Sequence, residues 1–230
     1  MTQTDILTLL PTIVVVSWAV VLLLVDLWIP RGRKGATAIL AAIGMAGALG
    51  LTLAQNGQSA TAFNGMIVVD GFATFLESLF LASGLAAVAL AYDYLKRMNI
   101  EHGEYYVLLM FSVSGMMLMA QANDLVIVFL ALELLSIPLY ILTGFARPRL
   151  ESEEAALKYF LLGTFASGFV LYGLALIFAA TAHTDLPGIF EAASGSLANT
   201  TFFLSGAALL LVGFAFKVAA APFHMWSPDV

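Results

Sequence analysis

Long apolar runs alternate with short polar segments along the whole chain. Each run is close to the roughly 20 residues that a helix needs to cross a bilayer. The seven runs cover 6–29, 36–54, 69–95, 105–120, 125–145, 155–180 and 202 to about 226. A bilayer core offers no water to backbone groups, so each run must be a helix or part of a closed barrel, and the runs lack the alternation of barrel strands. The pattern predicts an all-α polytopic membrane protein with about seven transmembrane helices.

The first run could also be interpreted as a cleaved signal peptide. Its leading residues contain Asp5 but no Lys or Arg, and no small-residue cleavage site follows it. We therefore expect the run to remain in place as the first transmembrane helix.

Composition narrows the classes of function. Hydrophobic residues make up 61% of the 230 residues and charged residues 10%, which is roughly half the charged fraction of a soluble domain. The net charge of −6 provides no basic face for a nucleic-acid backbone, so nucleic acid is not an expected partner. The chain has no cysteine, no Gly-rich nucleotide loop and no His/Cys/Asp set with metal-ligand spacing. We expect no cofactor and no metal in this chain.

Most basic residues lie in alternate loops. Those that follow the first, third and fifth runs are Arg31, Arg33, Lys34, Lys96, Arg97, Arg147 and Arg149. The loops after the second, fourth and sixth runs contain Asp124, Asp185 and Glu191 but no Lys or Arg. Cytoplasmic loops of membrane proteins are enriched in Lys and Arg. The odd-numbered loops are therefore predicted to be cytoplasmic, with the N-terminus outside.

The candidate functional residues are charged side chains inside the apolar runs. Glu133 lies near mid-membrane, about 13 Å into the fifth run at ~1.5 Å per residue. Lys217 lies inside the seventh run. A charge near the bilayer centre costs at least about 2.5–3.5 kcal/mol and usually marks an ion or proton pathway. The alternatives are that Glu133 only binds a neighbouring helix and that Lys217 extends its stem to the cytoplasmic interface.

Lys158 and His224 are further candidate functional residues, and each also has an interpretation without a function. Lys158 belongs to the same pathway or forms an i,i+4 ion pair with Glu154 at the surface. Pro222 predicts a kink or break one turn beyond Lys217, as in the broken helices of transporters. His224 follows this break and either relays a proton or bonds to a carbonyl.

The remaining polar residues are expected to have structural roles. Asp26 and Glu77 are expected at the membrane interface, and Gly163 and Ser167, four residues apart, suit close helix packing. The segment 184–187 is typical of the capped start of a short helix, which we expect on the outer side. A carboxylate and an ammonium in adjacent apolar helices control each other's protonation, so the charges indicate a proton or cation pathway.

Three segments resemble the antiporter-like membrane subunits of respiratory complex I, most closely the N-subunit family. They are Leu-Ala-Leu-Glu-Leu-Leu-Ser-Ile-Pro-Leu-Tyr at 130–140, Ala-Ala-Leu-Lys-Tyr-Phe-Leu-Leu-Gly-Thr at 155–164 and Lys-Val-Ala-Ala-Ala-Pro-Phe-His-Met-Trp-Ser-Pro-Asp-Val at 217–230. They occur in the family's order and spacing. The Pro-Phe-His-x-Trp element alone is shared with the L and M subunits and with Mrp antiporters.

The resemblance implies roles for the intramembrane charges. Glu133 would be the glutamate of the fifth helix, Lys217 the lysine of the broken seventh helix and Lys158 the modulating lysine of the sixth. Residues 1–95 would form three N-terminal helices, and 96–230 would form helices four to seven of the first antiporter-like repeat. Family members continue through an eighth helix and a second, inverted repeat, so we do not expect a complete pathway in these residues.

The resemblance also implies an activity and partners. Such subunits translocate protons across the bacterial plasma membrane, coupled to electron transfer from NADH to quinone. NADH, flavin, iron–sulfur clusters and quinone would bind partner subunits, and the chain would contact lipid and the other membrane subunits. The alternatives are an Mrp-type cation/proton antiporter subunit, which has no redox partner, and a purely structural scaffold.

Overall fold

The apolar runs form helices. The computed structural model describes residues 3–30, 33–195 and 199–230, so Arg31 of the basic loop residues lies outside the described residues. Numbered in chain order, the helices are α1 (Gln3–Thr8), α2 (Leu10–Asp26), α3 (Gly35–Ala54), α4 (Gly71–Arg97), α5 (Glu104–Gln121), α6 (Leu125–Thr143), α7 (Leu150–Thr181), α8 (Leu186–Ser194) and α9 (Thr200–Lys217). Two short strands, β1 (Ala60–Ala62) and β2 (Ile67–Val69), pair antiparallel.

The predicted all-α membrane fold is confirmed. By length and hydropathy, five helices in the described ranges are suited to cross a membrane, namely α3, α4, α6, α7 and α9. Helix α2 is apolar but has 17 residues. Helix α5 has 18 residues and begins and ends with polar residues. The seven predicted runs thus correspond to α2–α7 and α9.

The first run is divided where the sequence analysis expected one continuous helix. Helix α1 ends at Thr8, and Leu9 separates it from α2. Pro11 lies in the first turn of α2. Because proline has no N–H to donate to the preceding turn, it favours the start of a helix over its interior.

A small hairpin precedes α4, in the segment between the second and third runs that is predicted to be a loop. Ala60 pairs with Val69 and Ala62 with Ile67. The chain reverses through Phe63, Asn64 and Gly65, all with positive φ, which Asn and Gly adopt readily. Strands of three residues are too short for a period-two pattern to identify.

The predicted short helix after 184–187 is present as α8. Asp185 caps it by accepting a 2.8 Å hydrogen bond from the Gly188 N–H. This bond and a contact with His183 at 3.1 Å hold the pKa of the Asp185 carboxyl below its ordinary value. Asp70, Asp124 and Asn199 cap α4, α6 and α9 in the same way.

The interior contains two regions among the helices, in addition to a small cluster of Leu9, Ala62 and Ile67 at the hairpin. In the first, α2 to α5 pack around a cluster of buried apolar side chains that includes Val15, Met45, Leu81 and Met110. The second lies between α6, α7 and α9, where Tyr140, Tyr159, Ala166 and Phe216 form a smaller cluster. Helices α5 and α6 join the two regions at a very close crossing, where a Cβ on Gly115 would lie 2.4 Å from the Leu135 nitrogen.

Asp26 and Glu77, for which interfacial positions are predicted, are covered by neighbouring helices. Asp26 is 3% exposed. Its carboxylate accepts hydrogen bonds from Lys34 Nζ at 2.5 Å and from Thr37 Oγ1 at 2.6 Å. Glu77 is completely buried between helices. In both cases packing of neighbouring helices covers a residue that lies near the end of its own helix.

Candidate functional site

Helix α6 has one polar face, which lies in the second region of the interior. Glu133, Ser136 and Tyr140 follow each other at intervals of three and four residues, so they lie on the same side of the helix. Ser136 is 2% exposed and Tyr140 6% exposed, whereas Glu133 is half-buried. This face is directed toward α7 and α9, because its partners come from those helices.

Glu133 is bound from α7. Its carboxylate accepts a short hydrogen bond from the Ser167 hydroxyl, and Ser167 is itself buried. Gly163, one turn earlier on α7, lets the Tyr140 ring approach closely, since a Cβ there would lie 2.2 Å from the Tyr140 oxygen. Ser167 and Gly163 therefore do pack the helices closely, as the sequence predicts, but Ser167 also contacts a candidate functional carboxylate.

Lys217 is bound by hydroxyl groups of α6. Its Nζ donates to Ser136 Oγ at 2.7 Å and to the Tyr140 oxygen at 3.1 Å. The same Nζ lies 5.5 Å from the centroid of the Tyr140 ring, within the range of a cation–π contact. No ion pair among the described residues includes Glu133 or Lys217.

Together these contacts form a polar line across three apolar helices. Ser167 of α7 binds Glu133 of α6, and Ser136, one turn along α6, binds Lys217 of α9. Glu133 and Lys217 thus approach each other through α6 instead of pairing directly. A group that accepts a proton and a group that carries one are separated by a single hydroxyl-bearing turn.

The predicted break near Pro222 is confirmed, but it begins at Lys217 itself. Helix α9 ends at Lys217, and Ala219 has a φ of +50°. The chain then continues through turns that fold back on the helices. Trp226 stacks on Tyr159 at 4.6 Å between ring centroids and donates to the Phe216 carbonyl at 3.1 Å. Lys217 is therefore the last residue of a helix that ends beside the polar line.

Lys158 and His224 lie away from this line. The Lys158 Nζ contacts Glu154 Oε1 at 2.7 Å and Asp229 Oδ2 at 3.1 Å, and its side chain is 47% exposed. The structure thus places Lys158 in the i,i+4 ion pair that was the alternative to a pathway role. His224 is exposed and makes no side-chain hydrogen bond with any residue in the described ranges.

Sequence reasoning missed the hydroxyl groups of the site. Ser136 and Tyr140 belong to the motif at 130–140, from which no separate role for them is predicted, and the sequence predicts only helix packing for Ser167. The available signal was the spacing from Glu133 by three and seven residues, which places Ser136 and Tyr140 on its face of the helix. The contact of Ser167 with Glu133 depends on how α6 and α7 pack, which the spacing within one helix does not determine.

Comparison with known proteins links this region to a family. The family described as "NADH:quinone oxidoreductase/Mrp antiporter, TM" matches residues 122–230, which contain α6 to α9 and the whole polar line. NADH-quinone oxidoreductase subunit N of Chloroflexus aggregans is 54% identical to this chain over 232 residues, covering 98% of this chain and 47% of that protein. The chain spans about half the length of the curated relatives it matches.

Two solved structures have a similar fold. A chain of respiratory complex I from Thermus thermophilus with bound aureothin has a TM-score of 0.78 and 34% identity, with 96% of this chain and 46% of that chain covered. A chain of the Mrp complex from Dietzia sp. has a TM-score of 0.75 and 20% identity, with 98% and 43% covered. At that identity the second likeness concerns the fold alone.

Proposed function

Since this chain belongs to the NADH-quinone oxidoreductase/Mrp antiporter membrane family, with subunit N proteins among its relatives, we propose that it acts as membrane subunit N of an NADH-quinone oxidoreductase, complex I. In this role it translocates protons, coupled to electron transfer from NADH to quinone. The observation that carries the proposal is the line from Ser167 through Glu133 and Ser136 to Lys217.

The geometry suits controlled proton transfer. Lys217 can carry a proton at Nζ, and Ser136 Oγ can accept a hydrogen bond from it while donating its own hydrogen toward the Glu133 side of α6. In an apolar interior, each charged group strongly influences the protonation of its neighbour. Bringing a negative charge near Lys217 would retain its proton, and removing that charge would release it. The energy for such cycles would come from partner subunits.

The proposed organisation follows from this assignment. Residues 1–95 provide three N-terminal helices, and 96–230 belong to the first antiporter-like repeat. The membrane is a bacterial plasma membrane, with the loops after α2, α4 and α6 in the cytoplasm. NADH, flavin, iron–sulfur clusters and quinone bind other subunits. The chain itself contacts lipid and neighbouring membrane subunits, and it contributes no redox chemistry.

Lys158 and His224 enter the proposal in secondary roles. Lys158, held by Glu154 and Asp229, would modulate proton transfer from the cytoplasmic end of α7. His224 lies just beyond the end of α9 and would exchange protons with water there. Neither residue is needed to connect Glu133 with Lys217.

The proposal is tested by proton pumping in inverted vesicles that contain the full-length subunit in its complex. Glu133→Gln keeps an acceptor for Ser167 but removes the titratable charge, and Lys217→Ala removes the ammonium. We expect pumping and NADH oxidation to fall together in both variants, since loss of a positioned proton carrier costs enzymes about 10²–10⁴-fold. Glu151→Gln, an exposed change in the first turn of α7, is the matched control.

The outcomes separate the alternatives. Wild-type pumping and oxidation by both variants in an assembled complex would mean that the charges are structural and that the mechanism is wrong. Loss of subunit N from the complex in the variants alone would indicate a scaffold role, so assembly is measured in parallel. An Mrp-type subunit would instead exchange sodium for protons without any response to NADH.

A further inference from the structure

A second buried carboxyl group lies outside the polar line, in the first region of the bundle. Glu77 of α4 is 0% exposed, and its neighbours Gln121 of α5 and Thr52 of α3 are 1% and 0% exposed. Glu77 lies two turns after the start of α4, whereas Gln121 and Thr52 lie at the ends of their helices. The three side chains meet at one end of the bundle, because Gln121 bonds to Glu77 and Thr52 lies beside the same carboxyl group.

Some buried polar atoms of Glu77, Gln121 and Thr52 have no hydrogen-bond partner among the described residues. Gln121 Nε2 donates a short hydrogen bond to Glu77 Oε1. The second oxygen of Glu77 and the amide oxygen of Gln121 have no hydrogen-bond partner among the described residues, and neither has the Thr52 hydroxyl. An unpaired buried polar atom costs about 1–3 kcal/mol. Two of these atoms belong to one side-chain pair, Glu77 and Gln121, and need a common physical reason.

An ionised Glu77 gives no such reason. A carboxylate only accepts hydrogen bonds, and so does an amide oxygen, so with an ionised Glu77 neither Glu77 Oε2 nor Gln121 Oε1 could donate a hydrogen bond to the other. No salt bridge in the described part of the chain includes Glu77. The facing groups from α3 and α5 are the neutral Thr52 and Gln121, and the nearest acid on its own helix is Asp70, the N-cap. A charge buried without a partner is strongly disfavoured.

A proton on Glu77 satisfies both atoms together. A neutral carboxylic acid has one O–H donor and one carbonyl acceptor, which match the oxygen and the N–H of a primary amide. The acid and the amide then form two hydrogen bonds in a ring, one in each direction. The two atoms of the Glu77–Gln121 pair without partners are the ones that the second bond joins.

This pair also has a route to the outside of the bundle. Gln121 lines a pocket of about 410 Å³ together with Asp70 and Asn123. Asp70 is exposed at the start of α4. The pocket, whose other lining residues are mostly apolar, therefore contains both the exposed Asp70 and the residue that bonds to Glu77.

We propose that Glu77 and Gln121 form a second buried proton site, which holds a neutral carboxylic acid and exchanges its proton with water through the pocket lined by Asp70 and Gln121. The site is built from α3, α4 and α5 and shares no residue with the line from Ser167 to Lys217. It stands independently of the function proposed for that line.

The test is infrared difference spectroscopy of the assembled complex, wild type minus Glu77→Gln, at neutral pH in H₂O and in D₂O. We expect the difference spectrum to contain the C=O stretch of a protonated carboxylic acid, which shifts to lower frequency in D₂O. Carboxylate bands without this C=O stretch would overturn the proposal, because Glu77 would be ionised. A C=O band that stays unshifted after long incubation in D₂O would overturn it too, because the acid would be sealed from water.

A second variant examines the pairing itself. Gln121→Leu fills a similar volume but removes the amide, so we expect the C=O band of Glu77 to move to higher frequency as its hydrogen bonds are lost. An unchanged band would show that the acid–amide ring does not exist. Wild type minus Gln121→Leu detects the same band, so this comparison also decides the question if Glu77→Gln does not assemble. Asp70→Asn is the control at the rim and is expected to leave the C=O band in place.

Discussion

Lys34 and Lys217 both pack among helices, and different groups stabilise their positive charges. Lys34 donates to both the side chain and the backbone carbonyl of Asp26, so its charge is paired at the end of α2. Lys217, half-buried at the end of α9, is bound within the described residues only by the hydroxyls of Ser136 and Tyr140. A paired charge stabilises one conformation, whereas a charge bound by neutral groups can lose its proton without leaving an uncompensated partner. We therefore assign a structural role to Lys34, and Lys217 remains the lysine for which a functional role is proposed.

The structural role of Lys34 gives a prediction for stability. Lys34 and Asp26 are 11% and 3% exposed in their side chains, and removing one member of a buried pair costs about 3–5 kcal/mol. We expect Lys34→Met to lower the Tm of the purified full-length subunit, and we expect Asp26→Leu combined with Lys34→Met to recover much of the loss. The neighbouring exposed change Arg33→Ala is the control. A Lys34→Met variant as stable as the control would show that the pair contributes little.

At the scale of elements, the polar line depends on how closely α7 and α9 approach each other. Gly173 of α7 and Gly206 of α9 face each other, and a Cβ on either would lie 2.8 Å from the carbonyl oxygen of the other. Small residues at such a crossing allow membrane helices to pack backbone against backbone. The position of α9 against α7, and with it the position of Lys217 at the end of α9, follows from this contact.

We predict that Gly206→Ala destabilises the protein. The added methyl group would meet backbone atoms of Gly173 and Ile177, which cannot rotate away as a side chain can, and overpacking of this kind costs about 1–3 kcal/mol. Gly168→Ala on α7 is the control, since nothing lies within 4 Å of its Cβ and alanine favours a helix by about 0.8–1.0 kcal/mol over glycine. Thermal unfolding of both variants decides the point, and equal Tm values would contradict the close crossing.

At the scale of the whole molecule, the sequence was informative about elements and less so about their partners. Apolar runs located the helices, the Asp185 cap located α8, and Pro222 indicated a break near the end of α9, although the helix already ends at Lys217, because these signals are local. The pairing of Glu77 with Gln121 joins residues 44 positions apart, and that of Lys217 with Ser136 joins residues 81 apart. Such contacts depend on helix rotation and register, which periodicity does not fix in helices that are apolar on most sides.

The orientation in the membrane is the last prediction, and it rests on the charge of the loops alone. These 230 residues contain no cysteine, so a cysteine introduced among them is the single one in this part of the protein. Arg149, before α7, and Glu191, in α8, are both exposed. If the loops rich in Lys and Arg are cytoplasmic, a membrane-impermeant maleimide should label Arg149→Cys in inverted vesicles and Glu191→Cys only in right-side-out vesicles. The opposite pattern would place the N-terminus in the cytoplasm. The pocket at Gln121 would then open to the cytoplasm, because Asn123 beside it bonds through its backbone to the segment that starts α8.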